Sequence, residues 1–126
     1  MSQNLYLKDP NKIRKTVLII DDDEDILEIM ANMLEALDVH ILKAEDGKQA
    51  LSYLGTLQID VVVTDLMMPN INGFIVCDEL KKLEIPFIVA SGYHDHLQIL
   101  EEKYKFDTLP KPFSMQALIE KVKEKL

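Results

Sequence analysis

Tryptophan is absent, cysteine occurs once and glycine only four times in 126 residues. A lone Cys77 cannot form an internal disulfide, so nothing in the thiol count asks for an oxidising compartment. Gly47, Gly55, Gly73 and Gly92 are too far apart to make a P-loop or a G-x-G-x-x-G turn. The apolar runs are a few residues long, far short of the ~20 that a membrane-spanning helix needs. The N-terminal stretch MSQNLYLKDPNK is polar and has no signal-peptide core. Basic residues are scarce as well: 14 Lys and Arg stand against 22 Asp and Glu, for a net charge of −8. Most of the deficit lies in residues 1–63, with 6 basic and 12 acidic side chains. Such a chain repels phosphate backbones, which argues against a direct nucleic-acid partner, whereas an acid-rich end suits a divalent cation. The expectation is a soluble cytoplasmic protein with no membrane attachment.

What is present is a regular alternation. Hydrophobic residues make up 48 % and charged residues 29 % of the chain, the balance of one compact globular domain. Residues 1–15 read as a polar lead and residues 16–126 as the folded domain. Val17–Ile20 is a short aliphatic run that suits a buried strand. Apolar residues then fall at 26, 29, 30, 33, 34 and 37, the spacing of an amphipathic helix. Val39–Lys43 alternates like a strand, and residues 48–57 place Ala50, Leu51, Leu54 and Leu57 on one helical face. Val61–Thr64 is a third strand, and a helical stripe begins with Phe74, Cys77 and Leu80. Pro86–Ala90 is a fourth strand, residues 94–105 a weaker helix with Leu97, Leu100 and Tyr104 on one side, and Asp107–Leu109 a short fifth strand. Ser114 reads as the cap of a last helix, with Met115, Leu118, Ile119, Val122 and Leu126 on its apolar face.

Five strand–helix units with strands apolar throughout imply a doubly wound α/β fold, a parallel sheet covered on both faces. Ligands of such folds bind beyond the carboxyl ends of the strands, at the point where the strand order reverses. The residues that follow each strand therefore matter most. After the first come Asp21 to Asp25; helix capping accounts for Asp23, Glu24 and Asp25 but not for an acid ending a buried strand, as Asp21 does. Asp65 ends the third strand and brings a third carboxylate to the same edge as Asp21 and Asp22. Three close carboxylates need a cation, and an all-oxygen set suits Mg²⁺. Ser91-Gly92 after the fourth strand offers a hydroxyl and an unobstructed N–H. Lys111 after the fifth offers a counter-charge.

In this order the segments VLIIDDDEDI, AEDGKQAL, VVVTDLMMPNINGF, PFIVASGY and LPKPF make residues 16–126 resemble a response-regulator receiver domain of two-component phosphorelay signalling. The resemblance implies a flavodoxin-like sheet of five parallel strands in the order 2-1-3-4-5, flanked by five helices. It implies that Asp65 accepts a phosphoryl group from a phosphohistidine on a sensor histidine kinase or histidine phosphotransfer protein, and that an output protein reads the result. Asp21 and Asp22, with Asp65 and the backbone carbonyl of Met67, match the positions that hold Mg²⁺. Ser91 matches the hydroxyl that bonds a phosphoryl oxygen, and Lys111 the lysine that pairs with Asp65. The domain would be a signalling module rather than an enzyme with a separate substrate, either standing alone or forming part of a longer chain.

One departure from the family pattern stands out. Many members carry Tyr or Phe three residues before the lysine, where this chain has Thr108. Threonine is too small for the aromatic switch, so the signal is expected to leave through the Ser91–Asp95 loop and the helix after it. Tyr93, Tyr104 and Phe106 are the nearby aromatics. His94 and His96 are too few for a closed metal site, Cys77 reads as core, and Lys121, Lys123 and Lys125 read as a solvated helix face. Two rivals remain. A haloacid-dehalogenase-type phosphatase would place its nucleophile at Asp21, but Asp25 stands where that motif has Thr or Val. A nucleotide- or flavin-binding module lacks its glycine-rich loop.

Overall fold

The computed structural model describes residues 13–68, 72–92 and 94–126, the side chains of 94–96 excepted. Most of the polar lead, Tyr93 and the side chains of His94 and His96 lie outside the described residues. Five strands, β1 (Thr16–Ile20), β2 (His40–Ala44), β3 (Val61–Thr64), β4 (Phe87–Ser91) and β5 (Asp107–Pro110), form one sheet. Five helices alternate with them among the described residues: α1 (Glu24–Leu34), α2 (Gly47–Thr56), α3 (Gly73–Lys82), α4 (His94–Glu102) and α5 (Met115–Lys125). Every strand pairing is parallel and the order is β2-β1-β3-β4-β5. The expected fold and strand order are the observed ones.

Side chains along a strand point alternately to the two faces, and this period of two sorts the core. Val17, Ile19, Val61, Val63, Ile88 and Ala90 face one way and pack with Leu27, Met30 and Leu34 of α1 and Leu118 and Val122 of α5. Leu18, Ile20 and Val62 face the other way, onto Ala50 and Leu54 of α2 and Val76 and Leu80 of α3. A third group joins Leu66, Cys77 and Val89 to Leu97 and Leu100 of α4 and to Phe106. The interior strands β1, β3 and β4 are covered on both faces, as their apolar runs imply. The edge strand β2 instead keeps His40 and Lys43 exposed.

Helix starts follow the sequence signals closely. Asp23 caps α1, its carboxylate accepting from the Asp25 and Ile26 N–H groups, and Asp46 and Ser114 cap α2 and α5 in the same way. Helix ends depart from them. The apolar period runs to residue 37, yet α1 stops at Leu34; Leu37 reaches the same core from the following turn, its N–H bonded to the Leu34 carbonyl. Likewise α4 ends at Glu102, so Tyr104 lies in the connection to β5. α3 closes with Glu84 in the left-handed region (φ 57°). The Glu84 N–H bonds the Lys81 carbonyl and the Ile85 N–H bonds the Leu80 carbonyl, a Schellman ending without its usual glycine.

Glycine matters most at the start of α3. Its N–H bonds the Leu66 carbonyl at 3.2 Å. A Cβ on Gly73 would lie 2.5 Å from the Leu66 Cα and 2.9 Å from the Asp65 carbonyl oxygen. Only a residue without a side chain lets α3 close onto the segment that leaves β3. Gly55, inside α2, has open space around it. Gly73→Ala should therefore cost about 1–3 kcal/mol through forced backbone displacement, whereas Gly55→Ala should gain about 0.5–1 kcal/mol through helix propensity. Urea denaturation of the two variants beside the unaltered protein checks both signs.

Candidate phosphoacceptor site

The site is assembled by backbone hydrogen bonds that carry the sheet one residue past its strands. The Asp21 N–H bonds the Ala44 carbonyl, the Asp65 N–H bonds the Ile20 carbonyl, and the Lys111 N–H bonds the Ser91 carbonyl, at 3.1, 3.1 and 2.8 Å. Because Ile20 pairs with Thr64 in register, Asp21 and Asp65 leave neighbouring strands side by side. They do so between β1 and β3, where the strand order reverses.

Three side chains then meet. The Lys111 ammonium lies 2.6 Å from Asp21 Oδ2 and 3.0 Å from Asp65 Oδ2. Each acid is fixed at its other oxygen as well: Asp21 Oδ1 accepts the Asp23 N–H and Asp65 Oδ1 accepts the Met67 N–H, both at 3.0 Å. Asp22 is exposed, and one carboxylate oxygen from each of Asp21, Asp22 and Asp65 falls within 4.8 Å of the others. The two lysine-paired acids differ in access: the Asp65 side chain is 13 % exposed and that of Asp21 only 3 %. Asp65 is the one an incoming group can reach.

Ser91 is the last residue of β4 rather than the first of the loop, and it is buried. It lines a cavity of about 680 Å³ together with Asp22, Met67 and apolar side chains of α3 and α4. Met67 itself is 55 % exposed. The sequence-predicted residues Asp21, Asp22, Asp65, Met67, Ser91 and Lys111 are thus brought to one edge of the sheet. Sequence reasoning gave Lys111 a single partner, Asp65, and missed its shorter contact to Asp21. It also assigned Gly73 no role at the site; the signal available was a glycine opening a helix eight residues after an acidic strand end.

Other singled-out residues fall elsewhere. Cys77 is buried, and desolvation pushes its thiol up to about 12, with the charge of Asp78 adding to the effect against that of Lys81. Of the three lysines read as a solvated face, two are engaged: Lys121 and Lys125 lie 2.5 and 2.9 Å from the Asp107 carboxylate. Burial works to raise the pKa of Asp107, but its bonds to Lys121 and Lys125 outweigh that and hold it below the usual value.

Burial of the Lys111 ammonium opposes its charge, but the hydrogen bond to Asp21 and the charge and hydrogen bond of Asp65 overcome this and raise its pKa above 10.5. A raised lysine contributes stability in full below its unfolded pKa and loses it as pH climbs through the folded value. Lys111→Met should therefore cost about 2–4 kcal/mol at neutral pH, since it leaves buried acid without a counter-charge. The gap between the two proteins should narrow only above pH 10.5. Denaturation midpoints from neutral to alkaline pH check both the size and the direction.

Residues 17–123 match the family model of the response regulator receiver domain. The chain is 36 % identical over 110 residues to the response regulator RR06 of Streptococcus pneumoniae, covering 85 % of this chain and 51 % of that protein. It is 36 % identical over 108 residues to the response regulator SaeR of Staphylococcus aureus, covering 82 % and 46 %. The chain thus spans about half the length of the curated relatives it matches. Among solved structures it is similar to the receiver domain of the Francisella response regulator 1452, with 33 % identity, a TM-score of 0.77 and 87 % and 94 % of the two chains covered. The chemotaxis response regulator CheY4 of Vibrio cholerae shares the fold at 22 % identity, with a TM-score of 0.78 and coverage of 90 % and 100 %. The sheet order, the acid cluster at its switch point and these matches agree: the chain belongs to the response regulator receiver domains, the signalling modules of two-component systems.

Proposed function

We propose that Asp65 accepts a phosphoryl group from a phosphohistidine of a sensor histidine kinase or histidine phosphotransfer protein. The observation that carries this reading is the Asp65 carboxylate itself: reachable, oriented by the Met67 N–H and paired with Lys111. In the transfer an Asp65 oxygen bonds to phosphorus as the P–N bond to the donor imidazole breaks, and the imidazole leaves with the electron pair and takes up a proton. The acceptor must approach an anion, so positive charge at the site lowers the barrier. Lys111 supplies one such charge, already positioned.

The all-oxygen donor set of Asp21, Asp22 and Asp65 fits Mg²⁺. Those carboxylates and the Met67 backbone carbonyl would hold the ion, which when bound neutralises charge on the phosphoryl oxygens. The Ser91 hydroxyl donates to a phosphoryl oxygen of the product. The acyl phosphate adds about −1.5 to −2 charge and so shifts the balance between two conformers, which an output partner reads. We assign this function to residues 16–126, with residues 1–15 as a lead and the cytoplasm as its setting. The chain's net charge of −8 disfavours its direct binding to duplex nucleic acid. Among the described residues no helix is long and apolar enough to cross a membrane.

Incubation with acetyl phosphate should add one phosphoryl group by intact mass when Mg²⁺ or Mn²⁺ is present and none with chelator. Asp65→Asn should abolish the adduct. A label on Asp21 with steady turnover of donor would point instead to the phosphatase chemistry, and an adduct indifferent to chelator would sink the metal assignment.

Ser91 and Lys111 should separate in their effects. Ser91→Ala should still label yet lose most of the phosphorylation-induced amide shifts of residues 97–105 in NMR spectra. Lys111→Met should weaken both labelling and shifts. Complete loss of labelling in Ser91→Ala would contradict the division of roles.

A further inference from the structure

Glu101 is an exposed residue of α4, yet its carboxylate accepts a hydrogen bond from the buried hydroxyl of Thr108 on β5. Thr108 is paired in register with Val89 of β4, and two pairs further along Ser91 faces Pro110. The next residue is Lys111, bonded through its N–H to Ser91 and through its ammonium to Asp21 and Asp65. On another flank of α4, Ile99 and Leu100 border the 680 Å³ cavity that Ser91 and Met67 also line. So α4 is tied to β5 by a side-chain hydrogen bond and has open volume on the side toward Ser91 and Met67.

We propose that the Thr108–Glu101 hydrogen bond is a clasp that sets the resting position of α4, and that its release is the step by which the state of Asp65 reaches that helix. The proposal rests on the reading of Asp65 as phosphoacceptor. Its two halves are unequal. On release Glu101 returns to water, while Thr108 keeps a buried hydroxyl that has lost its acceptor. The clasp is therefore held mainly from the β5 side, where Lys111 anchors the same strand to the site. When Lys111 and Ser91 re-aim toward a phosphoryl oxygen, the ends of β4 and β5 move together through the Lys111–Ser91 backbone bond. Packed interiors respond to such shifts by moving between discrete arrangements rather than by deforming smoothly. The cavity beside Ile99 and Leu100 gives α4 a second place to rest. Thr108 is thereby an active part of the device and not merely a missing aromatic.

The test is amide hydrogen exchange of residues 97–102 in the unaltered protein, in Thr108→Val, in Glu101→Ala and in the double variant. Without phosphodonor, each single change should speed exchange in this segment about tenfold, the loss of a charge-assisted hydrogen bond, and the double variant should match the singles. With acetyl phosphate and Mg²⁺ the unaltered protein should show the same acceleration, and the variants little more, while Asp65 labels normally in all. Unchanged exchange in Glu101→Ala would overturn the clasp; that site is exposed and alanine favours a helix, so folding is not at issue. Normal labelling of the unaltered protein with no acceleration in α4 would overturn the release step. Absence of labelling would defeat the phosphoacceptor reading, while the exchange rates of the unlabelled proteins still judge the clasp.

Discussion

One ammonium between two carboxylates organises this domain's working end. Lys111 reaches Asp21 and Asp65 from the far side of the sheet, across β4, and closes a triangle whose corners belong to β1, β3 and the end of β5. Without that charge the acids would repel one another at a strand edge with little water to screen them. With it, they can be held a few ångströms apart. The cost of gathering negative charge is thus met within the fold, and the site is built before any donor arrives.

The remaining architecture serves that triangle. Parallel strands buried on both faces leave their carboxyl ends as the natural place for polar groups, because helices occupy the faces. Each of the three site-bearing segments is then fixed by a backbone hydrogen bond just beyond its strand. Gly73 lets α3 press against the Asp65 segment at a distance that no other residue permits. The chemistry therefore depends on backbone packing as much as on the charged side chains.

Strands and the site's cast were legible because their signals are local. VLII and VVVT are apolar runs of the right length, and an Asp directly after each is conspicuous against a buried background. Helix starts were legible for the same reason where a cap stood out, at Asp23 and Ser114. Helix ends were not. The apolar period continues to Leu37 because that residue joins the core from a turn, and periodicity does not distinguish a turn from another helical step. Contacts between distant segments were also hidden: Asp21 with Lys111, Glu101 with Thr108, and Lys121 and Lys125 with Asp107 depend on register that no local pattern encodes. The need for a partner at Thr108 could be argued from burial, but the identity of that partner could not.

Cys77 carries a different consequence. It is the chain's single thiol, enclosed by the cluster that joins α3 and α4 beneath the cavity. With its pKa near 12 almost none of it is thiolate at neutral pH, and no reagent reaches it while the cluster is shut. Its alkylation is then governed by how often the cluster opens rather than by the chemistry of the sulfur. The protein carries its own clock for local unfolding, set in a cluster to which α4 contributes Leu97 and Leu100.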